Sequence, residues 1–172
     1  MAVESVRLSG QEERPFEETV VKVYRCAKVV KGGRRFSFAA LVAIGDRAGT
    51  VGIGYGKANE VPLSVEKGIK DARKALYKIP LQGRTIPHQI NGKYGATRIT
   101  LVPASPGTGV IAGSSARAVL ELAGVQDVLT KVYGSTSAKN VVKATLDGLL
   151  KLRRKETVES LRGVSIESVK RW

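Results

Sequence analysis

Between residues 19 and 56, apolar side chains fall on every second position in three successive runs, and glycine-bearing segments of four or five residues separate the runs. That period is the spacing of strands that each turn one face to a core, and so short a connection can only reverse the chain. Thr19 to Val30 places Val21, Val23, Ala27 and Val29 on one face. Phe36 to Ile44 repeats the pattern with Phe36, Phe38, Ala40, Val42 and Ile44, after the hairpin signal Lys31-Gly32-Gly33-Arg34. A second turn, Gly45-Asp46-Arg47-Ala48-Gly49, leads to Thr50 to Gly56, where Val51, Ile53 and Tyr55 alternate with Gly52, Gly54 and Gly56. The three runs are expected to form antiparallel strands.

Pro62 suits the first turn of a helix. Beyond it Val65, Ile69, Ala72 and Leu76 recur at helical spacing, which predicts one apolar face up to about Ile79. Lys67, Lys70, Lys74 and Lys78 recur on another face. Pro80 and the polar stretch to Arg84 mark a boundary. A second set of elements follows: a hairpin from Thr85–Ile90 and Ala96–Val102, the glycine-rich Pro103 to Gly113, a helix over Ser114–Ala123, a strand over Val125–Tyr133 and a helix over Ser137–Leu152. Ala116, Val119, Leu120 and Ala123 should point inward from the first of these helices, and Val141, Val142, Leu146 and Leu149 from the second, with Ser114 or Ser115 and Ser137 as N-caps. The fold class is α+β in two domains, 16–79 and 80–155, with a flexible arm at 1–15 and a tail at 156–172.

The charge decides between function classes. The chain carries 29 lysines and arginines against 15 acids, a formal charge of +14. Residues 16–83 hold 13 bases and 6 acids, and residues 84–155 hold 11 and 3, so the excess lies in both halves of the body and in neither terminus. A polyanion touching both halves is the simplest partner. Lys22, Arg25, Lys28, Lys31, Arg34 and Arg35 fall within 14 residues that contain no acid, around Gly32 and Gly33, which permit close approach of the backbone. Such a cluster repels itself unless anions separate the charges, and arginine pairs well with phosphate. A lysine stripe on a lone helix is most often a solvated face; beside this loop it is better read as part of the same interface.

Other chemistries lack residues. One cysteine, Cys26, and one histidine, His88, supply neither a disulfide nor a metal-ligand set, so no cofactor is expected. His88 is expected in a strand without an acidic neighbour, and Asp127 and Asp147 are expected at the surface or as caps, so no catalytic set is expected. Gly52 to Ala58 lacks P-loop spacing. Pro106 to Ala116, PGTGVIAGSSA, is a stronger candidate, since a glycine turn entering a helix can present N–H groups to an anion, and it is similar to the phosphate loop of galactokinase- and homoserine kinase-type enzymes. Those enzymes have much longer chains, and a close-packed turn is the preferred reading. No apolar run reaches membrane-spanning length, and residues 1–18 lack the apolar segment of a secretory signal, so membrane association is not expected and a cytoplasmic location is.

Four segments together resemble one family. VKGGRRFSF (Val30–Phe38), VGIGYGKANEVP (Val51–Pro62), PASPGTGVIAGSSARAVLELAGV (Pro103–Val125) and KVYGSTSAKNVVKATLDGL (Lys131–Leu149) are similar, in order and spacing, to the signature segments of the fifth family of bacterial small-subunit ribosomal proteins. The resemblance implies a first domain related to the double-stranded RNA-binding domain without its first helix (βββα), and a second of βαβα type. The paired-lysine motif of the generic domain is replaced by Gly56-Lys57-Ala58 and a longer loop. The resemblance further implies a ribosomal protein that binds small-subunit rRNA, joins head to body, helps line the path by which mRNA enters, and influences decoding accuracy. Its implied neighbours are the fourth and eighth small-subunit proteins. Candidate rRNA contacts are Lys22, Arg25, Lys28, Lys31, Gly32, Gly33, Arg34, Arg35, Lys57, Lys67, Lys70 and Lys74; Gly107, Gly109 and Arg117 are candidates for the contact with the fourth protein. A small-molecule kinase and a free duplex-RNA-binding module are the alternatives.

Overall fold

The computed structural model describes residues 16–166, so the expected arm, and the last part of the expected tail with Trp172, lie outside the described residues. Strands β1 (Glu17–Val30), β2 (Gly33–Gly45) and β3 (Thr50–Ala58) form the expected antiparallel meander. Helix α1 (Val61–Ala72) follows, with Pro62 in its first turn. A strand that periodicity did not reveal, β4 (Leu76–Lys78), then pairs with β3 and completes a sheet of order β1-β2-β3-β4. The helix therefore stops seven residues before Ile79. Leu76 keeps its place against the apolar side of α1, but reaches it from a strand, so helical spacing alone could not place the end.

The second half contains β5 (Ile90–Tyr94), β6 (Thr97–Pro103), β7 (Val110–Ile111), α2 (Ser114–Leu122), β8 (Val128–Gly134), α3 (Ala138–Leu150) and α4 (Lys155–Arg162). Its sheet has the order β5-β6-β8-β7, with only β7 parallel to its neighbour. The first strand of the expected hairpin begins at Ile90 rather than Thr85, because Thr85 bridges back to Gln82 and leaves Thr85–Gln89 irregular. The strand expected over Val125–Tyr133 starts at Val128, since Gln126 and Asp127 give their N–H groups to the Arg84 carbonyl, and a short strand, β7, forms within the glycine-rich segment expected to be a turn. Ser137 is the N-cap of α3 as expected, though without a side-chain hydrogen bond, whereas Gly113 takes the N-cap of α2 in place of Ser114 or Ser115. Helix α4 runs across the position at which the tail was expected to begin.

Burial separates the two faces of the first sheet. Ala40, Val42 and Ile44 pack beneath α1 with Ala72, Val65, Ile69 and Leu76. The residues between them, Leu41 and Ala43, enter a larger cluster with Val51, Val119, Leu120, Val142 and Leu149, to which both halves of the chain contribute. From Ala39 to Gly45 β2 is thus buried on both faces, between α1 and α2, and the two halves share their main core instead of each closing its own. This is economical for domains too small to bury much surface alone. The expected inner face of β1 is only partly realised. A register shift between Val20 and Lys22 makes Val21, Tyr24 and Cys26 the half-buried positions, while Val29 is 74% exposed.

Candidate nucleic-acid interface

β3 reaches only as far as Phe38, whose partner is Ala58, so the β1–β2 hairpin continues alone for five rungs, Cys26–Ser37 to Val30–Gly33. At strand rise this free ribbon projects about 17 Å. Its turn is two residues, Lys31-Gly32, tighter than the four-residue loop expected, and Gly33 already belongs to β2 at φ +137, a conformation that favours glycine. Open space surrounds the positions that side chains would occupy at Gly32 and Gly33, so nothing in the fold blocks close approach there.

Register and alternation distribute the cations over the ribbon and its base: Lys28, Lys31, Arg34 and Arg35 lie beyond β3, while Lys22 and Arg25 lie where β3 still flanks β2. Lys28 faces Arg35 across the strands on the same side as Lys22, Arg34 lies with Arg25 on the other side, and Lys31 stands at the tip. All six are exposed. The Arg25 guanidinium lies 3.8 Å from the Phe36 ring centre, a cation–π contact that orients the group without neutralising it. The ion pairs among the described residues are Arg47–Glu17, Arg73–Glu18, Arg84–Asp127, Lys151–Asp147 and Lys155–Glu159. The acids at the base of β1 are therefore engaged by Arg47 and Arg73, and none of the six cations, four on the ribbon and two at its base, has an acidic partner among the described residues. A ribbon with that field around it attracts a polyanion.

The remaining candidates divide between the two faces of the ribbon instead of forming one patch. Lys57 stands opposite Ala39, on the face shared with Lys28 and Arg35. Lys67 and Lys70 are exposed on α1, on the side of Arg25 and Arg34, whereas Lys74 lies in the turn after the helix. Two pairs were missed by the sequence reading. Lys139 Nζ sits 3.7 Å from the centre of the Tyr55 ring, and Lys143 Nζ lies 4.7 Å from the centre of Tyr94 and donates to its Oη at 3.1 Å. Lys139 and Lys143 show helical i,i+4 spacing in the sequence, but only the fold brings the tyrosines beneath them.

Asp127 is no surface residue: it is 1% exposed, beneath the glycine-rich loop. Its Oδ1 accepts the N–H groups of Gly107 at 3.0 Å and Gly109 at 2.9 Å, and the Arg84 Nε lies 3.3 Å from Oδ2. Both glycines have positive φ, +91 and +77, which turns their N–H groups onto the carboxylate. Those donors are consumed internally, and the negative charge behind them repels a phosphate. Gly107 and Arg117 remain exposed, with Gly109 half-buried between loop and core. The melting temperature should therefore stay within about 1 °C when ATP and magnesium are added, where occupancy at a hundred times Kd would raise it by roughly 5 to 10 °C.

His88 lies in a bend before β5, not in a strand. Its Nε2 accepts the Arg153 N–H at 3.1 Å, leaving Nδ1–H to donate to the Gln89 carbonyl at 2.9 Å. Both ring nitrogens are thus used in fastening the segment after α3. Asp147 accepts from the Lys93 N–H and from Lys151. Among the described residues there is no cluster of metal-ligating side chains, and no helix is long and apolar enough to cross a membrane.

Known proteins are similar to both halves of the chain. The family model described as Ribosomal protein S5, N-terminal domain, matches residues 16–80, and that described as Ribosomal protein S5, C-terminal domain, matches residues 92–162. The small ribosomal subunit protein uS5 of Rhodopirellula baltica is 55% identical over 163 residues, 92% of each chain. That of Rubrobacter xylanophilus is 54% identical over 150 residues, covering 87% of this chain and 75% of its own.

Proposed function

Because the chain belongs to the ribosomal protein S5 family, we propose that it is a structural constituent of the small ribosomal subunit whose β1–β2 ribbon carries it onto small-subunit rRNA. The relatives named above are ribosomal structural proteins, and the chain is not an enzyme. The observation that carries the assignment of the ribbon is its four exposed cations, Lys28, Lys31, Arg34 and Arg35, which project beyond the third strand, with Lys22 and Arg25 exposed at its base, none with an acidic partner among the described residues. Lysines and arginines neutralise rRNA phosphates, and the shared core holds the ribbon and the second half in fixed relation. Shape and backbone contact then outweigh base reading.

In this reading the protein ties the head of the subunit to its body, helps line the path by which mRNA enters, and affects decoding accuracy by limiting how freely the head moves. The loop of Gly107 and Gly109, with Arg117 beside it, meets the fourth small-subunit protein, and the eighth is another neighbour. The resemblance of the sequence segments supports these placements, as does a loop fixed from beneath by Asp127 with its outer surface exposed.

The ribbon's role is tested by Arg34→Ala/Arg35→Ala. The logarithmic salt slope of rebinding to small subunits stripped of this protein should fall by roughly one unit for each phosphate that the variant no longer neutralises. Arg34 and Arg35 lie on opposite faces, so the two single variants report which side meets RNA. An unchanged slope in both removes the ribbon from the interface.

A further inference from the structure

The excess charge of the second half has no place in the ribbon. On the first sheet, Tyr55 and Lys57 point to the same face of β3, two residues apart, and β4 covers only Thr50 to Gly52, so β3 is a sheet edge at this point. Lys139, in the first turn of α3, reaches across from the second half and sets its ammonium over Tyr55. One turn further along α3, Lys143 is held by Tyr94 through the ring face and the hydroxyl. The acids nearest the track are engaged by other groups: half-buried Asp147 of α3 accepts from the Lys93 N–H and from Lys151, and Asp71 of α1 accepts the Tyr55 N–H at 3.1 Å. None of Lys57, Lys139 and Lys143 has an acidic partner among the described residues.

We infer that Tyr55, Lys57, Lys139, Lys143 and Tyr94 form a second RNA-backbone track, which crosses from the first half of the chain to the second and continues the face of the ribbon that bears Lys28 and Arg35. A free lysine loses much side-chain freedom when it fixes a phosphate. Here two of the three ammonium groups already rest on tyrosine rings, which hold them in place and leave N–H groups to donate outward, Lys143 having given one to the Tyr94 Oη. The arrangement fits a phosphate backbone: the track offers three lysine ammonium groups, none in an ion pair among the described residues, two of them carried on exposed tyrosines. It rests on the reading that the chain binds rRNA, and adds a contact that the ribbon alone would not give.

The test uses the full chain rebinding to small subunits from which it has been removed, with Kd measured over a range of salt. Lys139→Gln/Lys143→Gln should lower the salt slope by roughly two units. Arg47→Gln/Lys155→Gln, which removes equal charge from ion-paired positions off the track, should leave it unchanged. Tyr55→Leu should raise Kd roughly 2- to 5-fold with the slope kept, and Tyr55→Phe should not. If the slope falls for the Arg34/Arg35 variant but not for the Lys139/Lys143 variant, the track is overturned and the ribbon stands. If neither falls, rRNA binding through these cations fails altogether. An equal fall in the off-track control shows that net charge alone matters and overturns the track. So does weaker binding of the Lys139/Lys143 variant at unchanged slope, the mark of a protein contact or of loosened halves.

Discussion

Gly54→Val should lower the melting temperature by roughly 10 °C, whereas Gly32→Ala, in open space at the ribbon tip, should change it by less than about 2 °C. Gly52, Gly54 and Gly56 lie along the side of β3 that α1 covers. A Cβ at Gly54 would be driven into the Gly68 carbonyl and would lie 2.5 Å from the Ala72 nitrogen. One at Gly52 would lie 2.7 Å from the Ala72 carbonyl oxygen, and one at Gly56 would meet the Ser64 carbonyl. These neighbours are backbone, so no rotamer change relieves the clash. The helix must move off the sheet and uncover Ala40, Val42 and Ile44. Overpacking of this kind costs roughly 3 kcal/mol or more, and each kcal/mol lowers the melting point of a chain this size by roughly 2 to 4 °C. Differential calorimetry on the two variants checks the contrast. A small shift for Gly54→Val would mean that α1 is not seated on the strand backbone.

The same glycines show where sequence reading stops. Their alternation with Val51, Ile53 and Tyr55 was legible and marked a strand, but the purpose of the bare face was not, because it depends on which helix lies over it. β2 gave a similar warning: Phe36 to Ile44 was read for one inward face, although Ala39, Leu41 and Ala43 are apolar too. Apolar side chains of both parities signal a strand covered on both sides, and this one carries the core shared by the two halves. The end of α1 was misplaced because Leu76 satisfies a helical repeat while belonging to a strand. In the candidate interface, the ribbon cations were legible because they are contiguous in the chain. Their division between two faces required the register, and the pairing of Lys139 with Tyr55 required the tertiary fold. Of the two places expected for Asp127, surface or cap, the surface fails for a physical reason. An aspartate between polar and apolar neighbours looks like a surface residue unless the donors that will cover it are known, and here they come from a loop 18 and 20 residues earlier.

Asp127→Ala should destabilise the chain by roughly 3 kcal/mol, and Asp127→Asn by clearly less. The carboxylate is buried and accepts two backbone N–H groups through one oxygen, so alanine leaves both without their acceptor. Gly107 is exposed and its N–H can turn to water, so the loss concentrates at half-buried Gly109. An asparagine oxygen can still accept from both glycines. What it gives up is the charge, and with it the contact to Arg84, whose side chain is 62% exposed and for which an ion pair is worth less than about 1 kcal/mol. Chemical denaturation of the three proteins measures the order. Amide exchange at Gly107 and Gly109 locates the effect: it should quicken strongly in the alanine variant and modestly in the asparagine variant, with β6 and α3 unchanged. Equal losses for both substitutions would mean that the charge, not the acceptor geometry, holds the loop. The loop would then be set by Arg84 from outside, and its proposed contact surface, Gly107 with Arg117, would be expected to loosen as salt rises.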